Sequence, residues 1–391
     1  MMRTLLRLLH CTNNMKTYDV CRCCGNDKLE PWLSLPDSPV ANALFYEPNY
    51  DKFPLELNYC SNCGHLQLAS APEPNTVFST YRYKSGVSNS FRNHFAEYAN
   101  TVSGFYDTPG SVLEIGSNDG YLLQQFKDKK WIVYGVEPSE YLKRDHVENK
   151  IPVYTDFFST KLVDNNEWRN YFDVVCANNV LAHIPDMHDV MEGISMALKP
   201  NGLLVAECGH RDGISSGKYL DNVYHEHIDY YTPHSFSKLC EAHGLVVESV
   251  HMINTHGISF RAYVRKKEGT SEIPLESLDS NSFENVVDLI AARQTKMKQL
   301  IGDRQFIAYG AAAKAVTALY TLDMVDEKLI GVVDDNELKQ GCYFPGTNIM
   351  ITQPENMDKN ALVLITAWNV YEDIKRKLVE RGHTGEILCM Q

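Results

Sequence analysis

Short apolar runs punctuated by turn residues recur along the chain. Ser111-Val-Leu-Glu-Ile115, Trp131-Ile-Val-Tyr-Gly-Val136, Phe172-Asp-Val-Val-Cys-Ala177 and Gly202-Leu-Leu-Val-Ala206 each have the length and composition of a buried strand. Helix-length stretches separate them, so the pattern predicts strand, helix, strand repeats and a parallel sheet, with a ligand at the strands' C-terminal ends. A second set, Phe306-Ile-Ala-Tyr309, Leu329-Ile-Gly-Val-Val333 and Leu362-Val-Leu-Ile365, predicts another Rossmann-like unit. Residues 278–301 read as a helix linking the two sets, and residues 88–105, apolar near helical spacing, as a helix before the first. The fold class is α/β.

The turns sharpen this picture. Glu114-Ile-Gly116-Ser-Asn118-Asp119-Gly120 follows the first strand and opens a helix, where glycines let backbone approach a ligand. It lacks G-x-G-x-x-G, so the pyrophosphate fingerprint is a poor match. The second strand closes on Glu137, an acid placed to suit paired ribose hydroxyls. In the later set, Gly310-Ala-Ala-Ala-Lys314 has one glycine where that fingerprint wants three, which argues against NAD.

At 391 residues the chain has room for two to three domains, and 44% apolar against 22% charged residues supplies their cores. No apolar run approaches the roughly 20 residues of a spanning helix, so no membrane partner is expected. The net charge of −13 argues against a nucleic-acid partner, although a local basic patch stays open. Residues 1–14 are basic and read as a disordered or non-native extension with Met15 as the true start; a targeting or membrane-contact role is the alternative.

Seven of eleven cysteines (Cys11, Cys23, Cys176, Cys208, Cys240, Cys342, Cys389) are scattered, which disfavours a disulfide framework and suits a cytoplasmic protein. The other four form two C-x-x-C-G knuckles, Cys21-Arg-Cys-Cys24-Gly25 and Cys60-Ser-Asn-Cys63-Gly64. Such spacing wraps a structural zinc in four thiolates. Cys23 is left spare, and His65 is an alternative ligand. The 35 residues between Cys24 and Cys60 must form a loop or hairpin around Pro36-Asp-Ser-Pro39.

The densest chemistry lies in Asn222-Val-Tyr-His-Glu-His-Ile-Asp-Tyr-Tyr-Thr232. Histidine and glutamate are readily poised near neutral pH and tyrosine can donate to an oxyanion, so this stretch predicts an acid/base centre. A structural or surface cluster is the plainer reading, and metal binding is disfavoured because His225 and His227 are spaced i, i+2. Ser79-Thr-Tyr81-Arg-Tyr83-Lys-Ser85 is a hydroxyl-rich segment that either faces a ligand or caps the following helix.

E-x-G-x-N-x-G, an acid after the second strand, Asp156-Phe157 and Asn179-Val-Leu-Ala-His183-Ile-Pro185 together resemble the class I S-adenosylmethionine methyltransferases. With the knuckles before them, Tyr-His-Glu-His after them, and Lys339-Gln-Gly341, Pro345-Gly-Thr347 and Ala367-Trp-Asn369 in the closing part, nearly all of the chain from Met15 resembles the three-part sugar-nucleotide C-methyltransferases of deoxysugar biosynthesis. The resemblance implies a zinc-binding domain over residues 15–78, a methyltransferase domain over 79–277 and a Rossmann-like domain over 278–391 that helps bind the sugar nucleotide. It implies S-adenosylmethionine held by Glu114, Gly116, Asn118, Asp119 and Gly120, with Glu137 on the ribose, Asp156-Phe157 near the adenine and Asn178 and Asn179 at the methionine end. Plain structural roles stay open for Glu114 and Asn178.

It further implies a nucleoside-diphosphate 4-keto-deoxysugar methylated at C3 through an enolate. His227 would be the base, and Tyr224 or Glu226 would orient it or polarise the ketone. His183 would steady the enolate oxygen, and Tyr83, with Tyr81, would close the pocket. His225, Lys314, Trp368 and Asn369 would contact substrate, with Lys314 equally readable as a surface residue. Lys84-Ser85-Gly86 stands where the family has paired serines, which bears on Tyr81 against Tyr83 and on the sugar. The rivals are an O- or N-methyltransferase and a non-catalytic zinc-containing interaction protein. The oligomeric state is left open between a monomer and higher forms.

Overall fold

The computed structural model describes residues 15–72, 89–254 and 257–390; residues 1–14 and the segment carrying Tyr81 and Tyr83 lie outside the described residues. The first strands are β1 (Met15–Thr17), β2 (Glu30–Ser38), β3 (Phe53–Cys60), β4 (His65–Leu68) and β5 (Ser70–Pro72). β2, β3 and β4 form an antiparallel sheet, so the long insert between the knuckles is a hairpin, as expected from its prolines. Residues 39–52 at its open end do not hang in solvent. Phe45 and Asn49 accept backbone hydrogen bonds from Tyr343 and Gly346 at 2.8 and 3.1 Å, docking the insert on the far end of the chain.

The central unit runs α1 (Asn89–Ser103), β6 (Ser111–Ile115), α2 (Tyr121–Asp128), β7 (Ile132–Val136), α3 (Lys143–Glu148), β8 (Val153–Tyr154), α4 (Thr160–Asn165), β9 (Phe172–Asn178), α5 (Met187–Ala197) and β10 (Leu198–Gly209). It continues with α6 (Asp212–Ser215), β11 (Asp229–Tyr230), α7 (Pro233–Glu241), β12 (Leu245–Ile253) and β13 (Ser259–Lys266). Its sheet has the order β12-β13-β10-β9-β6-β7-β8, with β13 antiparallel to both neighbours and the rest parallel. Apolar runs are continuous here because both faces are covered: Val112, Val174 and Val205 point into one core, while Leu113, Val175 and Leu204 point into the other. The chain leaves β6 toward β7 and returns to β6's other side as β9, which makes a switch point and opens a crevice at the strand ends.

The last unit comprises α8 (Ser282–Ile301), β14 (Phe306–Tyr309), α9 (Ala313–Thr321), β15 (Leu329–Val333), β16 (Ile351–Thr352), β17 (Leu362–Ile365), α10 (Tyr371–Glu380) and β18 (Ile387–Cys389), with a parallel sheet ordered β16-β15-β14-β17-β18. α8 links as expected: Val286 joins the core of the first sheet, and Met297 and Ile301 join that of the last. The turn after β14 is filled from within. Asp334 Oδ2 accepts the Ala311 N–H at 2.7 Å and the Lys339 ammonium at 3.1 Å, where a dinucleotide's phosphates would need those donors.

β11 does not pair with its own unit's sheet. It adds to β4, with Asp229 opposite Gln67 and Tyr230 opposite Leu66. The pairing seals Asp229 from water at 2% exposure. Arg22 donates to it through Nε at 2.9 Å and Nη2 at 3.1 Å, and His65 Nε2 lies 3.0 Å away. Burial alone would raise this carboxyl, but Arg22 and His65 hold it below the ordinary aspartate value. Asp229→Asn should therefore strand the Arg22 charge in the interior and cost about 3–5 kcal/mol, read as a lower midpoint in urea unfolding; a midpoint within error of the native one would refute this.

Candidate active site

The four knuckle thiols converge, with every pair of sulfurs within 4.8 Å. Cys21 and Cys63 sulfurs are 3.5 Å apart and those of Cys24 and Cys60 3.7 Å. Thiolates about 2.3 Å from a tetrahedral zinc stand roughly 3.8 Å from one another, so the shell fits that ion. Gly25 and Gly64 take positive φ (+71° and +75°) to close each knuckle, and their N–H groups donate to Cys21 O and Cys60 O at 2.8 Å. Asn26 and Asn62 side chains donate toward Cys60 and Cys24 sulfur, a second layer suited to thiolate charge. Cys23 is buried apart from this shell, and His65 bonds Asp229 instead, so neither alternative ligand is needed.

At the strand ends of the central sheet lies a cavity of about 590 Å³. One end is walled by Glu114, Gly116, Asn118 and Glu137, with Asp156 and Phe157 at its side and Asn178 and Asn179 on its floor. Gly116 has φ +65°, and a Cβ there would sit 2.8 Å from the Val180 side chain. Glu137 accepts the Asn118 N–H at 3.0 Å and the Ser139 N–H at 2.9 Å. Burial still dominates and lifts its carboxyl to about 7. Glu114 Oε2 and both side-chain polar atoms of Asn178 are buried with no hydrogen-bond partner in range among the described residues, and burial pushes Glu114 well above the ordinary range. Orphaned polar atoms lining a cavity fit a polar cofactor. Asp119 and Gly120 of the same loop are not in the wall; the Asp119 carboxylate accepts the Tyr121 N–H at the helix start.

The acid/base stretch makes a turn. His227 N–H donates to Tyr224 O at 2.9 Å, so residues 224 and 227 face one way and the corner residues 225 and 226 the other. The Tyr224 hydroxyl is 2.7 Å from His227 Nε2, and His227 Nδ1 is 2.8 Å from Asn222 O. A carbonyl can only accept, so Nδ1 carries a proton, and in the neutral ring Nε2 accepts from the Tyr224 hydroxyl. Both residues line the cavity. The expected approach of Glu226 to His227 is not what the structure holds: Glu226 Oε1 accepts the Asn42 N–H at 2.7 Å, and the side chain is outside the cavity wall. His225 likewise turns outward, its Nε2 3.0 Å from Pro54 O and its ring edge-on to Phe53.

The His183 ring lies 4.7 Å from that of His227, tilted by 53°, with Nδ1 2.6 Å from Glu226 O. Burial drives its ring down to about 4, against the pull of the Glu226 and Asn179 backbone, so it is neutral near pH 7. That arrangement spends its N–H on the backbone and is not the donor geometry expected for an enolate oxygen. Lys314, near the start of α9, brings the third unit into the cavity wall. Trp368 lines a side pocket of about 40 Å³, its Nε1 donating to Asp221 at 2.7 Å and its ring stacked on Tyr219, while Asn369 is exposed and in neither wall. Two wall features were not foreseen. Glu207, at the end of β10, is clamped by His94 at 2.9 Å and Arg261 at 2.7 Å. Asp221, which lines the side pocket with Trp368 and not the main cavity, faces Lys314 and the Trp368 indole. An acid closing a buried strand was the one available hint for Glu207.

A family model for a methyltransferase domain matches residues 90–250, one for a zinc binding domain residues 21–78, and one for a C-methyltransferase C-terminal domain residues 281–390. The chain belongs to the three-part C-methyltransferases. It is 26% identical over 397 residues to the C-methyltransferase NovU of Streptomyces niveus, covering 94% of each chain. Among solved structures it is similar to the PH0226 protein of Pyrococcus horikoshii OT3 (15% identity, 47% of this chain and 95% of that one, TM-score 0.40). Another is the 1,6-didemethyltoxoflavin-N1-methyltransferase of Burkholderia thailandensis, which carries S-adenosylhomocysteine (15%, 44% and 79%, TM-score 0.36). This C-methyltransferase uses S-adenosylmethionine and has a cysteine cluster for zinc. No helix among the described residues is long and apolar enough to cross a membrane.

Metal analysis of the native C-methyltransferase should find one zinc per chain, and Cys60→Ser should lose most of it and melt the β2–β4 sheet, since binding a structural zinc supplies on the order of 10 kcal/mol. Full zinc content in that variant would refute the four-thiolate shell.

Proposed function

We propose that this C-methyltransferase moves a methyl group to C3 of a nucleoside-diphosphate 4-keto-deoxysugar through an enolate. One observation carries the reading: a histidine held at Nδ1 by a backbone carbonyl and paired at Nε2 with a tyrosine hydroxyl lines the same cavity as the cofactor loop. The full-length likeness to a C-methyltransferase supports carbon as the acceptor. Lys314 and Tyr219 in the cavity wall, the latter stacked on Trp368 of the side pocket, offer a cation and an aromatic face for a nucleoside diphosphate.

A ketone at C4 acidifies the C3 hydrogen. His227 Nε2 takes that proton, while Nδ1–H stays on Asn222 O and steadies the imidazolium that forms. The Tyr224 hydroxyl leaves Nε2 as substrate enters and donates to the C4 oxygen, where negative charge gathers. His183, uncharged 4.7 Å away, sets no second cation against the proton's arrival. Bound S-adenosylmethionine would supply an electrophilic methyl on its sulfonium, taken up by the C3 carbanion as S-adenosylhomocysteine leaves. Glu137 would hold the ribose hydroxyls, and Glu114 and Asn178 would satisfy their orphaned atoms on the cofactor's polar groups.

His227→Asn should keep cofactor and sugar nucleotide but lower methyl transfer by about 10²–10⁴-fold and stop deuterium entry at C3 from heavy water. Tyr224→Phe should cost less; near-native turnover of His227→Asn would end the proposal.

A pH dependence also follows from Glu137. Ribose hydroxyls donate to its ionised form, so binding pulls its pKa below about 7 and releases a proton. Cofactor affinity should be flat above that pH and fall below it by at most about tenfold per unit. Calorimetry from pH 6 to 8 reads this, and Glu137→Gln should flatten the curve; an equally steep curve in that variant would remove Glu137 from the ribose.

A further inference from the structure

Arg22 sits between Cys21 and Cys23 in the first zinc knuckle, yet its side chain points into the central domain and is 8% exposed. Four of its five N–H donors serve two separate segments. Nε and Nη2 bind the Asp229 carboxylate, two residues after His227. Nη1 donates to Pro185 O at 2.9 Å and Nη2 to Ile184 O at 2.5 Å, the residues directly after His183. Between the segments themselves, Ile228 N–H donates to Ala182 O at 2.7 Å, and the His183 ring bonds Glu226 O. The guanidinium is thus a planar brace across the strip that holds the two histidine rings 4.7 Å apart.

The brace is itself anchored. Its backbone N–H donates to Gln67 Oε1 at 2.9 Å, and Gln67 Nε2 donates to Val20 O at 3.1 Å. The Tyr18 ring lies 4.4 Å under the guanidinium and fixes its plane. A simple fastening of the zinc-binding domain would need the Asp229 pair alone. The two carbonyl contacts reach instead into the loop that carries His183.

We propose that Arg22 is a positioning residue for methyl transfer, setting the His183 segment against the His227 segment from within the zinc knuckle. This rests on the reading that those histidines flank the reacting carbon, but its test needs no substrate.

Arg22→Lys keeps a positive charge for Asp229 and lacks the fork that also reaches both carbonyls, so it separates bracing from charge pairing. In the full-length, zinc-loaded protein labelled with ¹⁵N-histidine, ring signals assigned by His183→Asn and His227→Asn should move in Arg22→Lys and move further in Arg22→Gln. The His183 midpoint should rise from about 4 toward the ordinary histidine range as water enters its loop. Zinc content should stay at one per chain, and S-adenosylhomocysteine affinity by calorimetry should be unchanged, because neither site uses Arg22. Native ring signals and a native His183 titration in Arg22→Lys, with only a lower melting temperature, would overturn the proposal. The Lys variant decides if Arg22→Gln does not fold. Loss of methyl transfer in His227→Asn is a separate measurement, so a wrong substrate would leave this result standing.

Discussion

A carboxylate removed from water must find a cation, and Asp229 finds one in a different domain. It belongs to the central unit by sequence, but its strand completes the sheet of the cysteine knuckles, and its charge is met by Arg22, with His65 Nε2 3.0 Å away. Once that strand is fixed, the turn before it has little freedom. The direction in which Tyr224 and His227 look is therefore settled by an ion pair that touches neither ring.

The turn is gripped from three sides. The insert between the knuckles binds Glu226 through Asn42 N–H and His225 through Pro54 O, and the last unit donates from Thr317 Oγ1 to Val223 O at 3.0 Å. Outward residues dock and inward residues face the cavity, a division that follows from having two corner positions between residues three apart. Ala41 of the insert lies in the core of the last unit, so a single loop couples all three domains.

Much of this was legible in the sequence where burial imposes a pattern. Strands such as Val112–Ile115 of β6 and Leu362–Ile365 are covered on both faces and read as apolar runs, and thiol pairs at knuckle spacing have few other uses. The composition of the reactive stretch was equally plain. Its facing was not, because Glu226 turns toward Asn42, a partner 184 positions away. The role of Arg22 was not legible, since nothing near it in sequence signals a buried acid 207 positions later. Trp368 was expected at the substrate, and the structure places it in a side pocket against Asp221 and Tyr219 of the central unit.

The closing half keeps a Rossmann scaffold whose anion seat is already taken. With Asp334 drawing on the Ala311 N–H and the Lys339 ammonium, an incoming pyrophosphate would meet a fixed negative charge and two donors already engaged. Such a domain is its own ligand. Two copies of one architecture can then share a chain without competing for the same class of nucleotide, and the second is free to offer a different guest the flank of that turn, where Lys314 opens α9.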